Sequence, residues 1–192
     1  MIADPSLKNI RIVLVETSHP GNIGAAARAM KTMGLTELYL VNPRAFPHAD
    51  ATARASGATD LLEAARVTTT LEEALADCVL AVATSSRQRE LRHEMLDARQ
   101  VAPRIAGAAA NRPVALVFGN ETFGLTSEQA GLCNLWAYVP ANPRYASLNL
   151  AAAVQIFAYE LRMVAVEAAA PPSPEFEPAT HVQVDEIGRA HV

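Results

Sequence analysis

Five short apolar runs, separated by segments of helical character, constrain most strongly what this chain can fold into. The runs are IRIVLVE, ELYLV, CVLAVA, VALVFG and WAYVP, at residues 10–16, 37–41, 78–83, 114–119 and 136–140. Runs of this length that are apolar throughout are typical of strands buried on both faces, and alternation with helices is typical of parallel sheets. The pattern therefore predicts an α/β domain with a mostly parallel sheet and helices on both faces.

Helix boundaries are also marked in the sequence. TLEE at residues 70–73 and TSEQ at residues 126–129 fit the capping box, in which a threonine hydroxyl and a Glu or Gln side chain satisfy orphan amides reciprocally. The segment at residues 148–168 predicts a last helix with a packing face at helical spacing, made of Leu150, Val154, Phe157, Leu161 and Val164.

Composition excludes several classes of protein. With 192 residues, 51% of them hydrophobic, the chain can bury one principal core, and its apolar runs are too short to cross a bilayer, so we expect a cytoplasmic protein without a membrane partner. A net charge of −4 argues against tight non-specific binding to nucleic acid. The local exception is the segment at residues 85–94, which is either a basic patch or a solvated surface, with three arginines beside two glutamates: Arg87, Arg89, Arg92, Glu90 and Glu94.

The sulfur and imidazole side chains show no metal-ligand spacing. Cys78 and Cys133 lie in apolar surroundings without a CxxC motif, which favours buried free thiols over a disulfide or a zinc site. The five histidines are likewise scattered, so no metal is expected: His19, His48, His93, His181 and His191.

A change in composition near residue 169 divides the chain. We expect a folded domain over residues 1–168 and a proline-rich, acidic linker over residues 169–186 that leads to a truncated C-terminal extension. The last six residues, IGRAHV, can be back-translated as ATC GGA AGA GCA CAC GTC, which resembles a common sequencing adapter. Residues 187–192 are therefore expected to be non-native.

The first of three informative loops follows the first predicted strand and reads HPGNIGAAAR, residues 19–28. Gly21 and Gly24 permit a tight turn and a close backbone approach, Asn22 can cap the helix, and Arg28 falls about one and a half turns into that helix. Neither GxGxxG nor GK[ST] is present, which argues against dinucleotide and P-loop sites. A glycine-assisted turn with an ordinary surface arginine remains the alternative.

The other two loops also follow predicted strands, where open α/β sheets bind ligands. LVFGNETFGLT, residues 116–126, presents Glu121 between Gly119 and Gly124. VPANPRYASLNLAAA, residues 139–153, leads to Ser147 and Asn149 at a helix start. Turn chemistry also explains the glycines, and the alternative for the last two residues is an N-cap and a first-turn polar residue.

Together, and in this order, the three loops resemble the SPOUT class of RNA methyltransferases, in the 2'-O-ribose branch typified by TrmH and TrmJ. Motif one, N-x-G-x-x-x-R, matches Asn22, Gly24 and Arg28; motif two matches VFGNETFGLT; motif three matches VPANPRYASLNLAAAVQIFAYE. The resemblance covers residues 9–163, and VLVETSHPGNIGAAARAMKTMGL and LVNPR look specifically like TrmJ. It implies a C-terminal trefoil knot, which the general rarity of knots would argue against, and a homodimer with shared active sites.

The resemblance also implies roles for individual residues. Arg28 would activate the ribose hydroxyl, Ser147 and Asn149 would orient ribose and cofactor, and Asn22, Gly24, Glu121 and Gly124 would bind substrate or support the site. S-adenosylmethionine would be held by small residues and backbone amides from four segments: Thr84, Ser85, Ser86, Gly119, Val139, Ala146, Ser147 and Leu148.

One residue departs from the pattern of the branch. Asn120 stands where relatives often have the arginine of G-R-E-x-x-G, and Thr122 and Phe123 fill the variable positions after Glu121. One potential phosphate contact is therefore in question.

The expected activity is 2'-O-methylation of cytidine or uridine 32 in the tRNA anticodon loop, with tRNA as partner. The alternatives are the same chemistry on another RNA, such as ribosomal RNA, and a non-catalytic RNA-binding module. A nucleotide-binding oxidoreductase is disfavoured by the missing GxGxxG.

Overall fold

The computed structural model describes residues 5–86 and 95–166, and in this part of the chain seven strands form a single parallel sheet. The strand order is β3-β2-β1-β6-β4-β7-β5. All six neighbouring pairs run parallel, so the predicted fold class, with a mostly parallel sheet, is confirmed. The strands are β1 Ile10–Val15, β2 Glu37–Val41, β3 Arg66–Thr68, β4 Leu80–Thr84, β5 Met95–Asp97, β6 Val114–Phe118 and β7 Leu135–Tyr138.

Helices connect the strands. The α-helices are α1 Pro20–Met33, α2 Ala49–Ala55, α3 Thr59–Glu63, α4 Leu71–Leu75, α5 Ala98–Ala109, α6 Ser127–Gly131 and α7 Leu150–Ala165. Short 3-10 helices occur at Pro5–Asn9 and Ser56–Ala58.

The sheet has a core layer on each face, as the alternation along β1 illustrates. Ile10, Ile12 and Leu14 join the layer formed with α1, α2, α3, α5 and α7. Val13 and Val15 join the layer formed with the short helices α4 and α6. Successive side chains of a strand point to opposite faces, so a strand that is apolar at nearly every position is the one that both layers require. Helices on both faces are therefore confirmed.

Two strands were missed by the sequence analysis. β3 and β5 have three residues each, and none of these residues is buried, so neither gives a recognisable apolar run. Both lie at the edges of the sheet. An edge strand that buries one face or no face does not need a continuous apolar run, so its sequence gives little indication of a strand.

The helix signals are confirmed with one adjustment. Thr126 and Gln129 form a complete capping box at α6. Thr70 accepts a hydrogen bond from the Glu73 amide, but the Glu73 carboxylate accepts from the amide of Thr69 rather than of Thr70. The predicted face of α7 packs into the core, with Val164 partly buried and the other four residues buried.

The cysteines carry free thiols. Cys133 is buried, and burial raises the pKa of its thiol to about 12. Cys78 is half-buried, and burial raises its pKa as well.

Neither a membrane helix nor a metal cluster occurs in residues 5–86 and 95–166. No helix there is long and apolar enough to span a bilayer. Nor do three or more His, Cys, Asp or Glu side chains come together there as metal ligands. Arg87, Arg89 and Arg92, the predicted linker at 169–186 and the predicted non-native tail at 187–192 lie outside the described residues.

In a parallel sheet, the carboxyl ends of all strands lie at the same end of the sheet. β1, β6, β4 and β7 are consecutive neighbours in the sheet. The loops that follow β1, β6 and β7 are the three loops singled out in the sequence, and the loop that follows β4 begins at Ser85. The strand order therefore brings all the predicted site segments together at the carboxyl end of the sheet.

Candidate active site

The loop after β1 leads directly into α1. His19 is the N-cap residue in an extended conformation, and Pro20 is the first helical residue, where its fixed φ suits the helix and its missing N–H leaves no donor unpaired. Asn22 is therefore the third residue of the helix, so its predicted capping role is wrong. For the same reason Arg28 lies a little over two turns into α1, not one and a half.

Gly24 allows α1 to touch α2. A Cβ atom at Gly24 would lie 1.9 Å from the carbonyl oxygen of Ala51 and 2.9 Å from the amide nitrogen of Ala55. The predicted close backbone approach is thus confirmed, and its partner is a helix. Gly21 is covered by the side chain of Arg54, whose Cδ would lie 2.9 Å from such a Cβ.

The loop after β6 folds back on itself through its two glycines. A Cβ atom at Gly119 would lie 2.2 Å from the carbonyl carbon of Gly124, and Gly124 has a φ of 72°. The Asn120 side chain holds the loop together: its Oδ1 accepts from the Thr122 amide at 2.8 Å, and its Nδ2 donates to the Glu16 carbonyl at 2.8 Å. Asn120 therefore organises this loop and ties it to the end of β1.

Glu121 receives four hydrogen bonds from the start of α1. Its carboxylate accepts from the Ser18 amide at 2.9 Å, the Ser18 hydroxyl at 2.6 Å, the His19 amide at 3.2 Å and Asn22 Nδ2 at 2.9 Å. Partial burial raises the pKa of Glu121, but the bonds from Ser18 and Asn22 outweigh it and lower that pKa to about 2. The ionised carboxylate thus stabilises amides and the positive end of the dipole at the α1 N-terminus.

Asn22 extends this network to the third loop. Its Oδ1 accepts a hydrogen bond from Asn149 Nδ2 at 3.0 Å. The Asn149 Oδ1 in turn accepts from the Ala151 amide at 2.9 Å, which makes Asn149, and not Ser147, the N-cap of α7. One continuous chain of hydrogen bonds therefore joins all three loops through Glu121, Asn22 and Asn149.

A cavity of about 1030 Å³ lies beside this network, at the ends of β4, β6 and β7. Its volume is at the upper limit of the roughly 300–1,000 Å³ usual for small-molecule sites. Glu121 and Gly124 line it. All eight residues predicted to hold the cofactor line it too: Thr84, Ser85, Ser86, Gly119, Val139, Ala146, Ser147 and Leu148.

The cavity lining also includes buried aromatic and apolar side chains. Trp136 contributes to the lining but is buried, and its Nε1, which has no hydrogen-bond partner in the described part of the chain, is covered by protein atoms and does not open into the cavity. A buried N–H without an acceptor costs about 1–3 kcal/mol. Phe118, Leu150 and Phe157 supply apolar surface. The apolar wall and the small residues together suit an organic molecule with apolar surface.

Arg28 lies apart from this cavity. Its side chain is exposed on α1 and makes no hydrogen bond or ion pair with a described residue, nor does it line the cavity. A position eight residues beyond Pro20 is about 12 Å along the helix axis. Within one chain, the structure therefore brings together the predicted cofactor residues but does not bring Arg28 to them. Gly24 and Asn22 also lie outside the cavity lining.

The sequence did not predict the part played by Ser18. Ser18 gives Glu121 both a backbone and a side-chain hydrogen bond. A serine just ahead of the helix-starting Pro20 was the available signal.

Comparison with known proteins identifies the family. A family model described as the SpoU rRNA Methylase family matches residues 9–159, which is most of the chain. The chain belongs to the SpoU rRNA methylase family. This match contains the three loops and the cavity between them.

Individual known proteins are also similar to the chain. It is 54% identical over 168 residues to the tRNA (cytidine/uridine/adenosine-2'-O-)-methyltransferase TrmJ of Pseudomonas aeruginosa, and the alignment covers 87% of this chain and 65% of that relative. A solved probable methylase family protein from Haemophilus influenzae has a TM-score of 0.80 at 43% identity, covering 96% of this chain and 78% of the other.

A more distantly related solved structure contains a bound ligand. The AdoMet-bound rRNA methyltransferase from Sinorhizobium meliloti has a TM-score of 0.63 at 27% identity. The alignment covers 81% of this chain and 56% of the other.

Proposed function

We propose that this chain is the catalytic domain of an S-adenosylmethionine-dependent tRNA methyltransferase that modifies the ribose 2'-hydroxyl of cytidine or uridine 32. The observation that carries the proposal is the cavity lined by all eight predicted cofactor residues, next to the hydrogen-bonded chain of Glu121, Asn22 and Asn149. The similarity to TrmJ of Pseudomonas aeruginosa favours tRNA as the acceptor. Ribosomal RNA is the second candidate, because the family description refers to it.

The cavity fits S-adenosylmethionine in size and chemistry. Thr84, Ser85 and Ser86 would hold it from the end of β4, Gly119 from β6, and Val139 and residues 146–148 from the loop after β7. When bound, this cofactor supplies a methyl group on a sulfonium sulfur.

Arg28 acts on the acceptor RNA. Arginine side chains stay protonated in proteins, so a role as a simple base is unfavourable. The guanidinium instead binds the phosphate next to the target ribose and stabilises the alkoxide that forms as the hydroxyl loses its proton, with that phosphate assisting proton removal. Ser147 and Asn149 orient the ribose, and Asn149 is itself held by Asn22.

The distance of Arg28 from the cavity supports a homodimer in which each active site takes Arg28 from one copy and the cavity from the other. Tyr159, Met163 and Val166 leave apolar surface exposed on and just beyond α7. α7 packs against α1, which carries Arg28. A two-fold contact on this side would cover the apolar residues and bring each Arg28 toward the other copy.

A trefoil knot in the C-terminal part completes the proposal. β6 inserts between β1 and β4, and β7 inserts between β4 and β5, so late strands enter between earlier ones. Such interleaving is what threading requires. Single-molecule stretching of the unfolded chain tests it, because a knotted chain is shorter at full extension than an unknotted one.

Methyl transfer from labelled S-adenosylmethionine to unmodified tRNA, with the modified nucleotide mapped, tests the proposed reaction. Arg28→Ala is expected to reduce turnover by at least about 100-fold while the affinity for the cofactor stays unchanged. Arg112→Ala is the control, because Arg112 is also exposed but precedes β6 and therefore lies at the amino end of the sheet, opposite to the three loops. Activity of Arg28→Ala within a few-fold of wild type would contradict the assignment.

Mixing two inactive variants tests the shared site. Arg28→Ala and a cavity-filling Ser147→Phe should each be inactive, whereas statistical heterodimers contain one intact site and should restore about a quarter of the wild-type activity. No recovery in a sample shown by sedimentation to contain mixed dimers would contradict a site built from two copies.

A further inference from the structure

Two aromatic rings beside the cavity are almost completely exposed. Phe123, in the loop after β6, is 79% exposed, and Tyr145, in the loop after β7, is 80% exposed. Both line the cavity that we assign to the cofactor. The chain buries other large aromatics of this region, such as Phe118 and Phe157, so the exposure of these two is a local property of the cavity rim. An exposed ring gives up stabilisation that burial would provide.

Hydrogen bonds fix the backbone that carries each ring. The Asn120 carbonyl accepts a hydrogen bond from the Gly124 amide at 2.8 Å, and the Asn120 Oδ1 accepts one from the Thr122 amide. These two bonds close the loop that carries Phe123. In the second loop, the Asn142 carbonyl accepts from the Tyr145 amide at 2.8 Å, and the Asn142 Oδ1 accepts from the Arg144 amide at 3.0 Å. Rings on fixed backbone lose less conformational freedom when they bind a partner.

The charge beside the rings favours a nucleic acid as that partner. Arg144 lines the same cavity, and its guanidinium forms no ion pair with a described residue. A base with its attached phosphate offers a flat π-surface and a negative charge a few ångströms apart. An apolar peptide side chain would use the rings but not the cation. Single-stranded RNA is read chiefly by such combinations of aromatic stacking and phosphate contact.

We propose that Phe123 and Tyr145 stack on a nucleobase of the RNA acceptor, beside a phosphate contact from Arg144. The inference rests on the proposed function, since it concerns how that same site receives its RNA. A loop nucleotide that leaves its stacked neighbours to reach the site loses stacking, and the two rings replace part of it. Phe123 occupies a variable position of motif two, so the motif itself does not specify this ring.

Binding of RNA and of cofactor is measured separately on the full chain to test the rings. The probes are unmodified tRNA and S-adenosylmethionine, and the variants are Phe123→Ala and Tyr145→Ala with the aromatic replacements Phe123→Tyr and Tyr145→Phe. Each alanine variant should weaken RNA binding about 5- to 150-fold, which corresponds to about 1–3 kcal/mol per stacked base. The aromatic replacements should bind RNA within about two-fold of wild type, as stacking predicts.

Val67→Ala is the matched control. Val67 is also an exposed apolar residue, but it lies on the edge strand β3, away from the cavity. It should leave both affinities unchanged.

Three results would overturn the inference. RNA affinity of the alanine variants within two-fold of wild type would show that the rings do not contact RNA. A parallel loss of cofactor affinity would assign the rings to the cofactor, and dissociation of the protein in sedimentation would assign them to a contact between copies. The RNA affinities do not depend on turnover, so absence of methyl transfer by the wild type refutes the proposed function separately.

Discussion

Replacing Gly24 by alanine should separate two helices at the base of the candidate site. The new Cβ atom would lie 1.9 Å from the Ala51 carbonyl oxygen, whereas Cβ atoms in proteins stay at least 3.0 Å from such atoms. The three nearest atoms are all backbone atoms of α2, so α1 and α2 must move apart by about 1 Å. A gap of this size forfeits a quarter to a half of each dispersion contact across it.

The expected loss follows from two opposing effects. Overpacking of this kind destabilises by about 1–3 kcal/mol. The better helix propensity of alanine returns at most about 1 kcal/mol in an exposed helix interior. Because backbone cannot rotate away from a Cβ atom at 1.9 Å, the cost lies at the upper end of this range, about 3 kcal/mol, and the net loss in the free energy of unfolding is about 2 kcal/mol. The melting temperature should therefore fall by about 4–8 °C, because a change of 1 kcal/mol shifts Tm by about 2–4 °C in a domain of this size.

Gly107→Ala supplies the control, because it makes the same chemical change in the interior of another helix. Gly107 lies in α5 with no heavy atom within 4 Å of the position that its Cβ would take. This variant should gain about 0.5–1 kcal/mol through helix propensity alone. Urea and thermal unfolding of both variants measure the difference in sign. A Gly24→Ala protein as stable as the wild type would refute the packing argument.

Two further predictions concern titratable groups. Because the pKa of Glu121 is lowered from 4.5 to about 2, its contribution to stability is complete above about pH 4.5 and is lost as the pH falls toward 2. Glu121→Gln should therefore flatten the pH dependence of unfolding by urea between pH 2 and 4.5, and parallel profiles for the two proteins would contradict this. Burial raises the pKa of Cys133 to about 12 and also raises that of Cys78, so thiol reagents at pH 8 should label the half-buried Cys78 before Cys133. Mass spectrometry of each peptide after timed labelling gives the order, and faster labelling of Cys133 would contradict it.

The apolar strands and the three loops could be predicted from the sequence because each depends on local chemistry. A strand buried on both faces must be apolar along its whole length, as β1 and β6 are. Even there one residue departs from the rule: Arg11 in β1 is buried, with its guanidinium 2.8 Å from Asp77 and 4.0 Å from the centre of the Tyr39 ring. Those partners come from other elements, so local sequence gave no indication of them.

The details of the site could not be predicted, because they depend on contacts between distant segments. Asn22 has the residue type of an N-cap, yet it lies inside α1 and bonds Glu121 and Asn149, since Pro20 starts the helix earlier. Gly24 looked like a turn residue and is instead the point where α1 touches α2. In both cases the sequence indicated a residue with a particular structural role. The contact partner that gives it this role lies far away in the sequence and could not be inferred locally.

The hydrogen bonds that join the three loops also set an order of events during synthesis of the chain. Asn22 is separated from Glu121 by 99 residues and from Asn149 by 127 residues. At typical rates of translation, the last partner emerges roughly 6 to 25 s after the first. Asn22, at the start of α1, can therefore bond the Glu121 carboxylate and the Asn149 amide only after nearly all of the sheet has left the ribosome. The capacity to bind ligand therefore appears late. A chain that ends before Asn149 has much of its core but lacks the last residues of its candidate site.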